Sequence, residues 1–238
     1  MEDHLRHLSG LATGLATAGP LLHNAHMSQL ILFSDAFSIS PYAMSAFVAL
    51  EEKGVTYDLV HVGMHTGEHR KPNYRARTGR VPSLQHGDFV LAESSAIAEY
   101  LEDAFPGPQH PRIFPADLKE RAIAREVMAW VRSDMMPIRE ERPTTSVFIQ
   151  RVSKPLSEAA QAARRRLLAA CERLIAPGKT TLFGAWCLAD TDLSLMLQRL
   201  NLNGDELPSA VKAYAEANWG RPSVVKWLSH ARSDFVPY

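Results

Sequence analysis

Between residues 29 and 105 the apolar positions change period several times. Gln29–Phe33 (QLILF) is short and nearly continuous, the length of a buried strand. In SPYAMSAFVALEEKG the period becomes helical, with Ala43, Ala46, Phe47 and Leu50 on one face. Ser40 suits the N-cap, Pro41 the first helical position and Gly54 the stop. Thr56–Val62 (TYDLVHV) alternates with period two and predicts a second strand. Residues 67–79 predict a weak, irregular helix with Pro72 inside it. Ser83–Gln85 and Phe89–Ala92 flank His86-Gly87-Asp88, a hairpin signal. Ser94–Phe105 returns to an amphipathic helical period. The predicted order is βαβαββα.

Residues 106–115 (PGPQHPRIFP) hold four prolines and read as a stiff linker. Beyond them every periodic segment is helical. The pattern from Asp117 to Glu141 predicts a long helix that Pro137 ends or kinks. In PLSEAAQAARRRLLAACERLIA, residues Ala160, Ala163, Leu167, Cys171 and Leu174 share a face. DTDLSLMLQRLNLNG, LPSAVKAYAEANWG and RPSVVKWLSHAR complete a helical bundle. The chain therefore divides into residues 1–26, an extension of different character, an α/β domain over 27–106 and an all-helical domain over 116–238.

The extension is weakly apolar and interrupted by Gly10, Gly14 and Gly19, and its charges Glu2 and Asp3 oppose Arg6, unlike a secretory signal. Lys+Arg and Asp+Glu both number 26, which leaves no basic footprint for nucleic acid and no polybasic membrane anchor. No apolar stretch is of bilayer length. Two cysteines, Cys171 and Cys187, are too few for a disulfide framework and point to a reducing cytoplasm. The ten histidines show no metal-ligand spacing, so no metal is expected.

Candidate chemistry lies in RVPSLQHGDFVLAESSAIAEYLED, Arg80–Asp103. A proline at a strand entrance removes a ladder donor and permits a cis peptide bond, here expected at Val81-Pro82. That arrangement offers the Val81 backbone as an edge for an extended peptide. Glu93 and Ser94 stand where a helix begins. Its unpaired N–H groups and dipole attract a carboxylate, Ser94 adds a hydroxyl, and Glu93 accepts from an ammonium. Together these groups suit the α-amino-acid end of a short anionic peptide.

RVP, a hairpin and ESSAI resemble the glutathione-binding signature of the glutathione S-transferases. The resemblance runs from Met27 to the C-terminus. It is closest to a bacterial subgroup, the YfcF-like transferases, through SPYAMSAFVALEEKG, RSDMMPIREERPT and FGAWCLADTDLSLM. It implies a thioredoxin-like first domain, a helical second domain, glutathione as co-substrate, a small electrophile or hydroperoxide as second substrate, and a homodimer. Read from local sequence alone, Ser40 is an N-cap; the resemblance implies that it stabilises the glutathione thiolate, with Ser38 the rival. Tyr42 is expected to pack or line the cleft. Val81 is implied to pair with the cysteinyl backbone, Glu93 and Ser94 to hold the γ-glutamyl end, and His69 and Arg80 to meet the glycyl carboxylate. Ser95 is read as a helix-start residue only. WCLADTDLSL resembles the family's capping box, with Cys187 at the cap and Asp190 as its acid, a folding element. Arg139 and Asp134 belong to a charged run that borders the cleft or forms a solvated face. Two other readings are a non-catalytic glutathione-binding scaffold and a glutathione-dependent cis-trans isomerase.

Overall fold

A computed structural model of the chain describes residues 29–232 and 234–237. The extension, residues 1–26, lies outside them. Strands β1 (Leu30–Asp35), β2 (Tyr57–Val62), β3 (Ser83–His86) and β4 (Phe89–Ala92) form one sheet in the order β2-β1-β3-β4. β1 and β2 are parallel, joined by helix α1 (Pro41–Lys53), because parallel neighbours need a crossover. β3 is antiparallel to β1 (Phe33 opposite Ser83) and to β4 (Ser83 opposite Ala92). Gly87, at φ +59°, turns the hairpin between β3 and β4. Helix α2 (Ser94–Ala104) follows.

The irregular helix expected across 67–79 is a single 3₁₀ turn, Glu68–Arg70, followed by turns. Lys71 at its end is extended (φ −76°, ψ 151°), as a residue before a proline is biased to be. The helical position between β2 and β3 is thus occupied by a turn and an open loop.

Beyond the linker come α3 (Leu118–Ser133), α4 (Met136–Glu141), α5 (Thr144–Phe148), α6 (Glu158–Leu174), α7 (Leu188–Asn201), α8 (Ser209–Trp219) and α9 (Pro222–Leu228). The long pattern from Asp117 breaks at Asp134–Met135, and Pro137 sits in the first turn of α4, where its missing N–H costs nothing. The Asp117 carboxylate caps α3 and Ser157 caps α6. The hydrophobic period gives no sign of α5.

Helix α1 shows why two layers cohere. Its predicted face, Ala43, Ala46, Phe47 and Leu50, is buried, and so are Met44, Ser45, Val48 and Ala49. The sheet and α2 cover one side, while α7 and α9 of the helical half cover the other. One apolar cluster accordingly runs from Leu32 and Phe47 through the linker residues Ile113 and Phe114 to Leu188 and Trp227. A second cluster, around Met135, Leu167, Cys171 and Leu197, belongs to the helical half alone. The linker is therefore packed rather than free: the Leu188 N–H donates to the Ile113 carbonyl at 2.9 Å.

Two buried polar groups brace the structure on either side of this junction, one against the linker and one within the helical half. Lys53, fully buried, places Nζ 2.6 Å from Glu102 Oε2 and donates to the Phe105 carbonyl at 2.9 Å. Glu102 also accepts from the Ile113 N–H at 3.0 Å. Asp190, the acid of the capping box, accepts from the N–H groups of Cys187 (2.8 Å) and Leu182 (2.9 Å) and from the Tyr214 hydroxyl (2.8 Å). Burial pushes its carboxyl above the usual aspartate value against the pull of those donors.

Candidate functional site

The loop from β1 to α1 is built around Asp35, a fully buried carboxylate at the strand end. It accepts from the backbone N–H groups of Ile39 (2.8 Å) and Ser40 (3.1 Å). The turn it holds carries Ser38 at φ +50°, an uncommon conformation for a residue with a Cβ. The Arg232 guanidinium grips the same turn, donating to the Ser38 carbonyl at 3.0 Å, and lies over the Phe148 ring. Nothing in the local sequence pairs residues 194 positions apart, so sequence reading misses Arg232. Asp35 had a readable signal, an aspartate that ends an apolar strand run.

Ser40 caps α1: its Oγ accepts from the Ala43 N–H at 3.2 Å. A hydroxyl has one donor and two acceptor sites, so capping leaves its proton free. Ser40 lines a cleft of about 1020 Å³, together with His69, Arg80, Val81, Glu93 and Ser94. All six residues singled out in the sequence therefore border one space. Ser38 does not; it is 1% exposed, beneath the loop.

The Val81–Pro82 peptide bond is cis. The Val81 N–H and carbonyl make no hydrogen bond to other described residues. Val81 lies two residues before the first paired residue of β3, Ser83, so its backbone is an extension of the sheet rather than an edge strand of it. Tyr74 holds the approach, donating to the Arg80 carbonyl at 2.6 Å with Ser83 Oγ at 2.9 Å. Burial raises the Tyr74 phenol, which stays protonated and able to donate. Tyr74 stands in a polar, patternless run and carried no signal in the sequence.

Glu93 takes φ +71° and ψ 114° at the N-cap of α2. Such backbone costs on the order of 1–3 kcal/mol and concentrates at ligand clamps. Its side chain is exposed and makes no capping bond. The first intrahelical bond is from the Ile97 N–H to the Glu93 carbonyl, so the N–H groups of the preceding turn are open to a ligand. Ser94 is 3% exposed and sits at the base of that turn.

Also lining the cleft, His69 Nε2 accepts from Arg70 Nε at 3.1 Å. A guanidinium cannot accept, so the ring proton sits on Nδ1. That Nδ1 is buried and has no partner among the described residues. Arg70, Lys71, Arg77, Arg80 and Arg132 face the cleft against one carboxylate, Glu93. The space is electropositive and suits a ligand with more acidic than basic groups.

Neither cysteine takes part. Both are free and buried, and burial pushes the Cys171 thiol up to about 12. Among the described residues no group of three or more His, Cys, Asp or Glu could hold a metal ion, and no helix is long and apolar enough to cross a membrane.

A four-stranded thioredoxin-like sheet and a helical second half, with a cationic cleft between a helix-capping serine and a second helix N-terminus, define a two-part thioredoxin-like class of protein. The chain belongs to the glutathione S-transferase family. Residues 36–109 match the glutathione S-transferase N-terminal domain, and residues 117–232 the C-terminal domain. It is similar to a glutathione transferase homolog from Burkholderia solved with bound glutathione, at 42% identity and TM-score 0.70, covering 84% of this chain and 96% of that one. A theta class glutathione S-transferase from Xanthomonas axonopodis, also with glutathione bound, superposes with TM-score 0.65 at 25% identity over 87% of this chain and 100% of that one. Glutathione S-transferase 1 of Dianthus caryophyllus is 37% identical over 105 residues, 43% of this chain and 46% of its own length. The chain thus aligns with less than half of the first curated relatives it matches.

Proposed function

We propose that this chain is a glutathione transferase in which Ser40 donates a hydrogen bond to the glutathione sulfur. The observation that carries the reading is the convergence on one cleft of a free hydroxyl proton at the start of α1, the unpartnered Val81 backbone and the open first turn of α2. The cysteinyl backbone pairs with Val81. The γ-glutamyl carboxylate takes the α2 N-terminus and Ser94, and its ammonium takes Glu93. The glycyl carboxylate reaches Arg80 and the His69 Nδ1–H.

A free thiol has a pKa of about 8.5, so only a small fraction is thiolate near neutral pH. A hydroxyl donor stabilises that anion by roughly 1.5–3 kcal/mol, or about one to two pKa units. The thiolate sulfur then bonds to an electrophilic carbon, and the leaving group departs with the electron pair. With a hydroperoxide, sulfur attacks the terminal oxygen and an alcohol leaves; a second glutathione converts the sulfenic acid to a disulfide and water. The absence of a cysteine at residues 38–42 disfavours a mixed disulfide with the protein. We assign the chain to the cytosol, consistent with its two free thiols.

The test is turnover of a chlorodinitrobenzene by the purified chain with glutathione. Release of chloride above the spontaneous rate supports the transferase; glutathione binding with no turnover of electrophiles or hydroperoxides supports a scaffold instead. Ser94→Ala is expected to weaken glutathione binding by roughly 1–3 kcal/mol. Calorimetry showing an unchanged affinity moves the ligand elsewhere. We also expect a symmetric homodimer, with the first domain of one subunit against the second domain of the other. Light scattering that reports one chain mass at micromolar concentration contradicts it.

A further inference from the structure

Beside the cleft lies a smaller cavity, about 30 Å³, between the start of α1 and helices α3, α4 and α7. Tyr42 and Arg132 line both spaces, so the cavity adjoins the wall that carries Ser40. Its ionisable lining is Tyr42, Arg132, Arg139, Arg199 and Asp192. Three guanidiniums therefore meet one carboxylate. That carboxylate is already taken, because Arg132 Nη2 binds Asp192 Oδ2 at 2.5 Å.

Arg139 has no carboxylate partner among the described residues. It donates to the Arg132 carbonyl and, at 2.7 Å, to the Tyr42 hydroxyl oxygen. Accepting there leaves the Tyr42 proton free to point at a further acceptor. Arg199 is 3% exposed. Its Nη1 donates to the Arg142 carbonyl at 2.6 Å, and its Nε is buried with no partner. No carboxylate pairs with it among the described residues, and burial, with the like charge of Arg139 next, pushes this guanidinium down to about 10. An unpaired charge buried on a helix of the core is costly, and an anion in the cavity removes that cost. The volume admits about two water-sized atoms, the size of the two oxygens of a carboxylate and too small for a ring.

We propose that this cavity binds the carboxylate of the second substrate, which makes the favoured electrophiles aryl or alkyl acids rather than neutral apolar compounds. Arg139 and Arg199 supply charge, and the Tyr42 hydroxyl donates the orienting bond. The acid's apolar body then extends into the larger cleft on the Ser40 side. This specificity rests on the glutathione transferase reading of the same cleft, but binding of the acid can be measured without turnover.

The experiment is calorimetric titration of the full chain with a nitrobenzoate and with the matching nitrobenzamide, with and without glutathione. The benzoate is expected to bind about tenfold tighter or more, since it gains charge-assisted bonds that the amide lacks. Arg139→Gln is expected to bring the two within about twofold, and Tyr42→Phe to reduce the preference by roughly three- to tenfold. Because Arg199 is deep in the core, Arg139→Gln and Tyr42→Phe carry the test, with circular dichroism confirming the fold. Arg166→Gln, which removes an exposed arginine elsewhere, is expected to keep the preference; an equal loss there reduces the effect to net charge and overturns the assignment. Equal affinities, no binding of either compound, or a preference that survives Arg139→Gln also overturns it. A chain that prefers the benzoate but gives no heat with glutathione keeps the carboxylate site and loses the glutathione reading.

Discussion

Ser40→Ala is expected to lower turnover near neutral pH by roughly 10- to 100-fold while glutathione affinity stays nearly intact. The affinity comes from the two ends of the peptide, which Ser40 does not touch in this account. The rate depends on the thiolate fraction, and loss of one charge-assisted hydrogen bond raises the bound thiol by about one to two pKa units. The sign follows: the nucleophile is the deprotonated form, so the ascending limb of the pH–rate profile moves to higher pH in the variant. Ser40 also caps α1, so some loss of stability accompanies the change, about 1 kcal/mol. Ser40→Thr keeps both the capping oxygen and the donor, and retains the wild-type position of the pH profile if the hydroxyl is what matters. A profile unchanged in Ser40→Ala assigns the sulfur to a backbone donor of the loop.

Glu102→Gln is expected to destabilise the folded chain by about 3–5 kcal/mol. Lys53 is fully buried beside Glu102, and the neutral amide leaves its charge without a counter-ion. Glutamine still accepts from the Ile113 N–H, so the substitution isolates the charge. Lys53→Met combined with Glu102→Leu is expected to recover much of the loss, because removing both charges also removes their desolvation. The Ile113 N–H then lacks its acceptor, and a residue of about 1–3 kcal/mol persists. Urea unfolding followed by circular dichroism measures all three. A Glu102→Gln chain within about 1 kcal/mol of wild type shows the junction to be solvated, with the pair worth what surface pairs are worth.

The elements that local pattern reveals were legible. Ser40, Pro41 and Gly54 bracket α1 as cap, first residue and left-handed stop, and the Gly87 hairpin joins β3 to β4. The candidate cleft was legible for the same reason, since Ser40, Val81, Glu93 and Ser94 all sit at element boundaries with their own sequence signals. What stayed hidden depends on contacts between distant segments. The full burial of α1 comes from α7 and α9, so one apolar face was expected where there are two. Arg232 reaches Ser38 across the whole chain, and Tyr74 reaches Arg80 from a run with no period. The weak helical signal over residues 67–79 lost to Pro72 and the glycines at 67 and 79, both at positive φ. Arg139 was visible only as part of a charged run, because the orphaned Arg199 beside it lies 60 residues further on, on α7.

The central claim is that the hydroxyl of Ser40 holds the glutathione sulfur as thiolate. The most direct measurement is the ultraviolet thiolate absorbance of protein-bound glutathione, titrated against pH in wild type and in Ser40→Ala. The expected wild-type midpoint lies below that of free glutathione, and the expected midpoint of the variant about one to two units higher. Coincident curves for the two proteins contradict it.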